Sequence, residues 1–497
     1  MISAVSASDV ETAVTLPGGI FISVKTKRGE IMAKTREEKA DMMLNGDIRK
    51  TIISMAVPTI TAQLITVFYN LVDTYFVSTI GTNATAAVGV NSSLERSISM
   101  IGTFIGSGAA SYLARSLGRR DQEAADRVLS TSLVIGMGLG LIMLALGIPN
   151  IRSLVYFLGA NDDCAVYAMQ YAQYVLLAAP FMVGSFIFNM CLKSEGSASI
   201  AMIGIGFGGI LNCFLDPIFI FYFDMGVAGA SLATAISKVV SFAILVFPYI
   251  TRRSMLHLSI RNYKPDWEMA KEVFSVGSSA LFRSGLAVVS AILINREAGM
   301  ISDAVLAGIG VTNKVMMFPF SIILGFGSGY QPVSGFNWGA KNYKRVRKSY
   351  SFALKTALIG SVIMAVFLSV FAVPVIRLFA GADAEMELIG SLCIRLQCIA
   401  MPIHAWAAMV NMLCSSLGVG WGAVLLASAR QGTCFLPVLY PLSRIFGATG
   451  IASVQAVADA LTIFLAVPIS RKIFKIIAAA EQKQLEEQAA LQETSAL

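Results

Sequence analysis

Four polar residues set in long apolar runs carry the clearest chemical signal in this chain. Asp73 lies within Asn70-Leu71-Val72-Asp73-Thr74. Asn212 and Asp216 are four apart, so on a helix they share one face. Pro217 has no N–H to give to the carbonyl of Cys213; it frees an acceptor beside Asp216 and bends the helix there. Thr234 adds a hydroxyl. Two carboxylates with an amide and a hydroxyl in an apolar medium can take up and release a proton, or hold Na⁺ between their oxygens. Read singly, Asp216-Pro217 is a helix-breaking pair and Asp73 a satisfied core polar group. The four together favour cation handling.

The rest of the chain sharpens that reading because it is written twice. Gly106-Ser107-Gly108 and Gly118 return as Gly327-Ser328-Gly329 and Gly339. Pro180, Asn189, Ser194 and Gly196 return as Pro402, Asn411, Ser416 and Gly418. The offset is constant to within one residue, which marks a duplicated fold. The polar cluster is not duplicated: the positions equivalent to Asn212, Asp216 and Thr234 hold Thr433, Pro437 and Gln455.

Composition says what must position these residues. Of 497 residues 56% are hydrophobic and 14% charged, against roughly 25% charged in soluble proteins. With a mean hydropathy of +0.70, this is an integral membrane protein. At about 20 apolar residues per crossing, twelve helical spans are expected, near 52–79, 86–113, 128–149, 166–190, 198–222, 226–250, 275–298, 304–332, 350–373, 388–414, 420–440 and 448–470. The expected fold is all-α, with two six-helix lobes. Six is even, so both halves start on the same side and are parallel repeats about a pseudo-twofold axis along the membrane normal. The expected divisions are a tail at 1–47, lobes at 48–250 and 274–475, a linker at 251–273 and a tail at 476–497. Residues 1–47 are polar, show no secretory signal pattern, and read as a disordered tail. The second tail reads as an extension of the last helix.

Most of the 38 Lys and Arg fall in the termini and the even-to-odd loops, among them Arg119, Arg120, Arg252, Arg253, Lys341 and Arg345. This bias places both termini in the cytoplasm. It also assigns the net charge of +8 to loops meeting anionic lipid headgroups rather than to nucleic acid. The seven cysteines form no CxxC and the two histidines, His257 and His404, no metal-ligand spacing. No cofactor and no enzymatic constellation is expected. Further charges within spans are Glu95, Arg96, Arg283, Arg296, Lys314, Arg395, Arg430 and Asp459. Lys238, Glu297 and Lys355 lie near span ends, where snorkelling accounts for them as well as function does.

The chain from about Gly46 to Lys475 resembles the multidrug and toxic compound extrusion (MATE) transporters. The resemblance rests on Pro58, Gln63, Val72-Asp73-Thr74, Leu215-Asp216-Pro217-Ile218-Phe219-Ile220, Gly226-Val227-Ala228-Gly229-Ala230 and the twin glycine motifs. Lys193-Ser194-Glu195-Gly196-Ser197 looks closest to the bacterial multidrug-efflux branch. The resemblance implies an inner-membrane antiporter that exports amphipathic organic cations or drugs in exchange for H⁺ or Na⁺. It also implies a cation site at Asp73, Asn212, Asp216 and Thr234. The tenth span offers Arg395 and no acid, so a Na⁺ site in the second lobe is not expected. Tyr69, Phe76, Met316 and Met317 are candidates for a substrate cavity, and a monomer is expected. The rival with the same architecture is a flippase for lipid-linked sugars, which would use Arg283, Arg395 and Arg430 for a pyrophosphate.

Overall fold

Backbone polar groups in hydrocarbon must be satisfied within their own segment, so apolar runs of this length become helices. The computed structural model describes residues 9–15, 21–27, 36–380 and 383–496. In the first half the apolar runs form α2 (Ile48–Ser78), α3 (Thr82–Gly118), α4 (Gln122–Gly147), α6 (Asp162–Ser194), α7 (Ala198–Pro217) and α8 (Gly226–Ile250). The second half holds α9 (Trp267–Gly299), α10 (Asp303–Gly339), α11 (Tyr343–Val370), α13 (Ala384–Leu417), α14 (Gly420–Ser428) and α15 (Phe435–Ala496). Short helices α1 (Arg36–Leu44), α5 (Ile151–Phe157) and α12 (Ala372–Ala380) lie at the ends of the bundle.

The helices make twelve crossings. Among the described residues, ten stretches are each long and apolar enough to span a membrane. One of them, Gly420–Ala490, contains two crossings, divided at Gly447, whose φ of 54° and ψ of −130° break the helix. The remaining crossing is α3, which carries Glu95 and Arg96 and packs along α6. π-turns follow α7 (Ile218–Tyr222) and α14 (Ala429–Thr433).

The duplication is visible in the packing. Within the lobes, α6 packs on α3, α4 and α8, and its repeat mate α13 on α10, α11 and α15. Between the lobes, α2 meets α10 and α3 meets α9, two contacts that the pseudo-twofold axis exchanges. The repeated glycines sit on that seam. A Cβ at Gly118 would overlap the carbonyl of Phe336, and one at Gly339 that of Arg115, the positions equivalent under the repeat. The turns beyond them match as well, with Arg120 at φ 61° and Lys341 at φ 57°. Asp121 then caps α4 by accepting from Ala124 N, as Asn342 caps α11 by accepting from Arg345 N. Asn189 donates to the carbonyl of Ala201 at 3.0 Å, and its mate Asn411 to that of Ala423 at 2.6 Å.

The disordered reading of residues 1–47 is corrected over two regions. Asp9–Thr15 pairs antiparallel with Phe21–Lys27, Asp9 opposite Lys27. Helix α1 docks on the end of the bundle that carries the basic loops, burying Lys39 and Met43. Polar composition concealed this because the partners of α1 are distant in sequence: Lys39 faces Glu195, and Asn337 Nδ2 donates to the carbonyl of Met43 at 3.0 Å. At the other end of the chain, α15 continues as helix to Ala496.

Candidate cation and substrate site

Asp216 is fully buried in the last turn of α7, where Pro217 ends the regular helix and the π-turn begins. One turn earlier, Asn212 faces the same way, and its Nδ2 donates to Asp216 Oδ1 at 2.9 Å. The same nitrogen lies 3.3 Å from Thr234 Oγ1 on α8, which accepts from it. Asp73, on α2, brings its carboxyl beside that of Asp216. All four cation-site candidates therefore converge, from three helices. Asp73 Oδ1 and Asp216 Oδ2 are both buried and without a hydrogen-bond partner. An orphaned oxygen on each of two adjoining carboxyls is costly in a low-dielectric interior. A proton shared by the carboxyls, or a cation held between them, would satisfy both.

The cluster opens on a cavity of about 490 Å³ inside the first lobe, lined by residues of α2, α3, α6 and α8 together with Met317 of α10. Sequence reasoning assigned no role here to Glu95 or Tyr171. Tyr171 is 1% exposed on α6 and donates to Glu95 Oε1 at 3.0 Å. Its hydroxyl also neighbours Thr234, which links Glu95 to the Asn212–Asp216 pair. Lys238 does not snorkel. It turns inward, donating to Tyr69 Oη at 2.9 Å with its ammonium 4.9 Å from that ring's centre. The cavity thus holds three carboxyl side chains, Asp73 and Glu95 on its wall and Asp216 just behind, against Lys238 and the outward-leaning Arg96. Glu95 stands among charges in the sequence, but nothing local ties it to Tyr171, 76 positions away.

The substrate-cavity candidates separate. Tyr69 and Met317 line the cavity. Phe76 instead packs edge-on against Phe221 of the π-turn, ring centres 6.3 Å apart. Met316 faces the opposite way from Met317 and is 1% exposed in the core. Glu297 is also buried, and accepts from Ser443 Oγ at 2.7 Å. Arg395 and Lys355 are exposed on the outside of the bundle. The second lobe has its own cavity, of about 210 Å³, walled by Arg283, His404, Arg430 and Asp459.

Two six-helix lobes, each with a separate cavity that carries charged side chains, define a multi-pass membrane transporter. A family model described as MatE matches residues 58–218 and 280–420, one stretch in each lobe, and the chain belongs to that family. The multidrug export protein MepA of Staphylococcus aureus is 25% identical over 429 residues, covering 86% of this chain and 94% of its own. Among solved structures, MATE in a straight conformation superposes with a TM-score of 0.83 at 25% identity, over 90% of this chain and all of that one. MATE in a bent conformation gives the same score and identity, over 90% and 99%.

Proposed function

We propose that this chain is a secondary active antiporter of the cytoplasmic membrane that exports amphipathic organic cations in exchange for H⁺ or Na⁺. The observation that carries this reading is the pair of adjoining carboxyls, Asp73 and Asp216, each with one buried unpartnered oxygen, beside a cavity that Glu95 also lines. Such a pair binds one cation at a time at little cost, and an organic cation in the cavity competes for the same negative charge. Tyr69 and Met317 offer the aromatic face and the soft thioether that suit an amphipathic cation. In the cycle, entry of the coupling ion neutralises the pair, releases the drug outward, and allows the lobes to rock back with the ion bound. The basic loops and both termini then lie in the cytoplasm.

The MepA relatives, named as multidrug export proteins, support drug over lipid-linked cargo. Of the three arginines a flippase would use, Arg395 lines neither the first-lobe nor the second-lobe cavity and Arg430 pairs with Asp459 at 3.0 Å, which leaves Arg283 by itself.

The test is ethidium efflux from vesicles carrying the full chain, with a proton gradient and a Na⁺ gradient imposed separately. Efflux driven by one gradient and lost in Asp73→Asn is expected. Undiminished efflux by Asp73→Asn would sink the mechanism.

A further inference from the structure

The two lobes are duplicates in backbone but opposites in charge. Lys238 and Asp459 occupy equivalent positions under the repeat, on α8 and on the closing half of α15. In the first lobe Lys238, with the outward-leaning Arg96, faces three carboxyl groups, Asp73, Glu95 and Asp216. In the second, Asp459 is the one carboxylate of the cavity wall, which also carries two arginines. Asp459 is 2% exposed, and its Oδ1 lies 3.0 Å from Arg430 Nε. The Arg430 guanidinium is further held by the face of Phe320, 3.8 Å from the ring centre, and by His404, whose Nε2 lies 3.2 Å from Nη1. Arginine has no acceptor, so that nitrogen of His404 accepts and the imidazole is neutral. Arg430 is therefore neutralised and fixed.

Arg283 is not. It shares the wall of the same cavity, half-buried on α9, and the ion pairs formed among the described residues leave it out. The remaining wall is mainly apolar, with Leu324, Met412 and Leu426 among its residues. An uncompensated guanidinium at membrane depth, facing a chamber of about 210 Å³ with apolar walls, is a recognition device for one anionic group attached to an apolar body. Its planar fork fits a carboxylate in two parallel hydrogen bonds.

We propose that the second-lobe cavity is a binding site for the carboxylate of amphipathic organic compounds, with Arg283 as its specificity-determining residue. It rests on the export reading only for its purpose, widening the cargo from cations to compounds that bear a carboxylate. The binding itself stands on the cavity alone.

The test compares three probes that share one ring system: 2-naphthoate, its neutral methyl ester, and 2-naphthylmethylammonium. Each is titrated into the full chain in phosphatidylcholine nanodiscs. Naphthoate should bind roughly tenfold more tightly than the ester, as one charge-assisted pair implies. Arg283→Gln should level the two, and Arg283→Lys should restore part of the difference. Equal binding of naphthoate and ester to the parent protein would overturn the proposal, even if the Gln variant does not fold. So would a preference that survives Arg283→Gln. Dioctanoylphosphatidylglycerol, added as competitor at fixed salt, should leave naphthoate binding unchanged. Stoichiometric displacement by it would give the site to a lipid headgroup instead. Ethidium efflux by the parent protein reconstituted in vesicles separates the two readings: no efflux there with the naphthoate preference intact in nanodiscs fails the export reading and leaves this site standing.

Discussion

Asn212 governs what the carboxyl pair can do, because one side-chain nitrogen serves both Asp216 and Thr234. The amide fixes one oxygen of Asp216 and leaves the other, Oδ2, unpartnered in a carboxyl that adjoins Asp73. Asn212→Leu keeps nearly the same volume and removes both contacts. Losing a hydrogen bond to a charged partner costs ~1.5–3 kcal/mol, so efflux should fall by roughly tenfold or more. The protein should still elute as a single species, since the apolar packing around α7 persists. Efflux at the parental rate in Asn212→Leu would show that Asp216 needs no donor to hold the coupling ion.

At the scale of elements, the glycines of the repeat act at the seam between lobes. Gly118 and Gly339 let α3 and α10 approach until backbone meets backbone, and a methyl group at either would displace the carbonyl across the seam. Gly339→Ala should therefore lower the thermal midpoint of the purified protein, at a cost of about 1–3 kcal/mol from overpacking. Gly310→Ala, with nothing within 4 Å of its added methyl, is the control and should be neutral or slightly stabilising. An equal response at the two positions would remove the seam from the explanation. These same glycines were the legible part of the sequence, along with the twelve crossings and the convergence of Asp73, Asn212, Asp216 and Thr234. The glycines and crossings follow from repeat offset and local period and the Asn212–Asp216 face from helical spacing, while the joining of Asp73 and Thr234 to them was implied by the family resemblance. What stayed hidden depends on which way a side chain turns once helices pack. Neighbours Met316 and Met317 read alike, yet one is in the core and the other in the cavity. For Lys238 and Glu297 the sequence left snorkelling and function even, yet both turn inward to partners far along the chain.

For the molecule as a whole, α1 ties together parts that alternating access must move. Lys39 lies 3.6 Å from Glu195, which is fully buried at the end of α6. Glu195 also accepts from Ser197 Oγ at 2.8 Å, from Met255 N at 3.0 Å and from the hydroxyl of Ser254. One carboxylate thus joins α1, the first lobe and the linker between lobes. On its other side α1 is held by the second lobe, through Asn337 to the carbonyl of Met43 and through Arg345 to that of Gly46. Opening the bundle at this end has to break one set or the other. A buried ion pair is costly to halve, because the abandoned charge has no water to return to. Glu195→Gln should accordingly cost about 3 kcal/mol or more, and Lys39→Met somewhat less, since Glu195 keeps its three other donors. The double variant should recover much of the loss, giving a coupling energy above ~1 kcal/mol in a double-mutant cycle of thermal unfolding. If the pair holds α1 to the bundle, Lys39→Met should also speed hydrogen exchange across residues 36–46 while leaving α6 protected. Additive single effects with unchanged exchange would mean that the Lys39–Glu195 pair does not hold α1, which would leave its other contacts, among them Arg36 to the carbonyl of Ser254 and Asn337 to that of Met43, to do so.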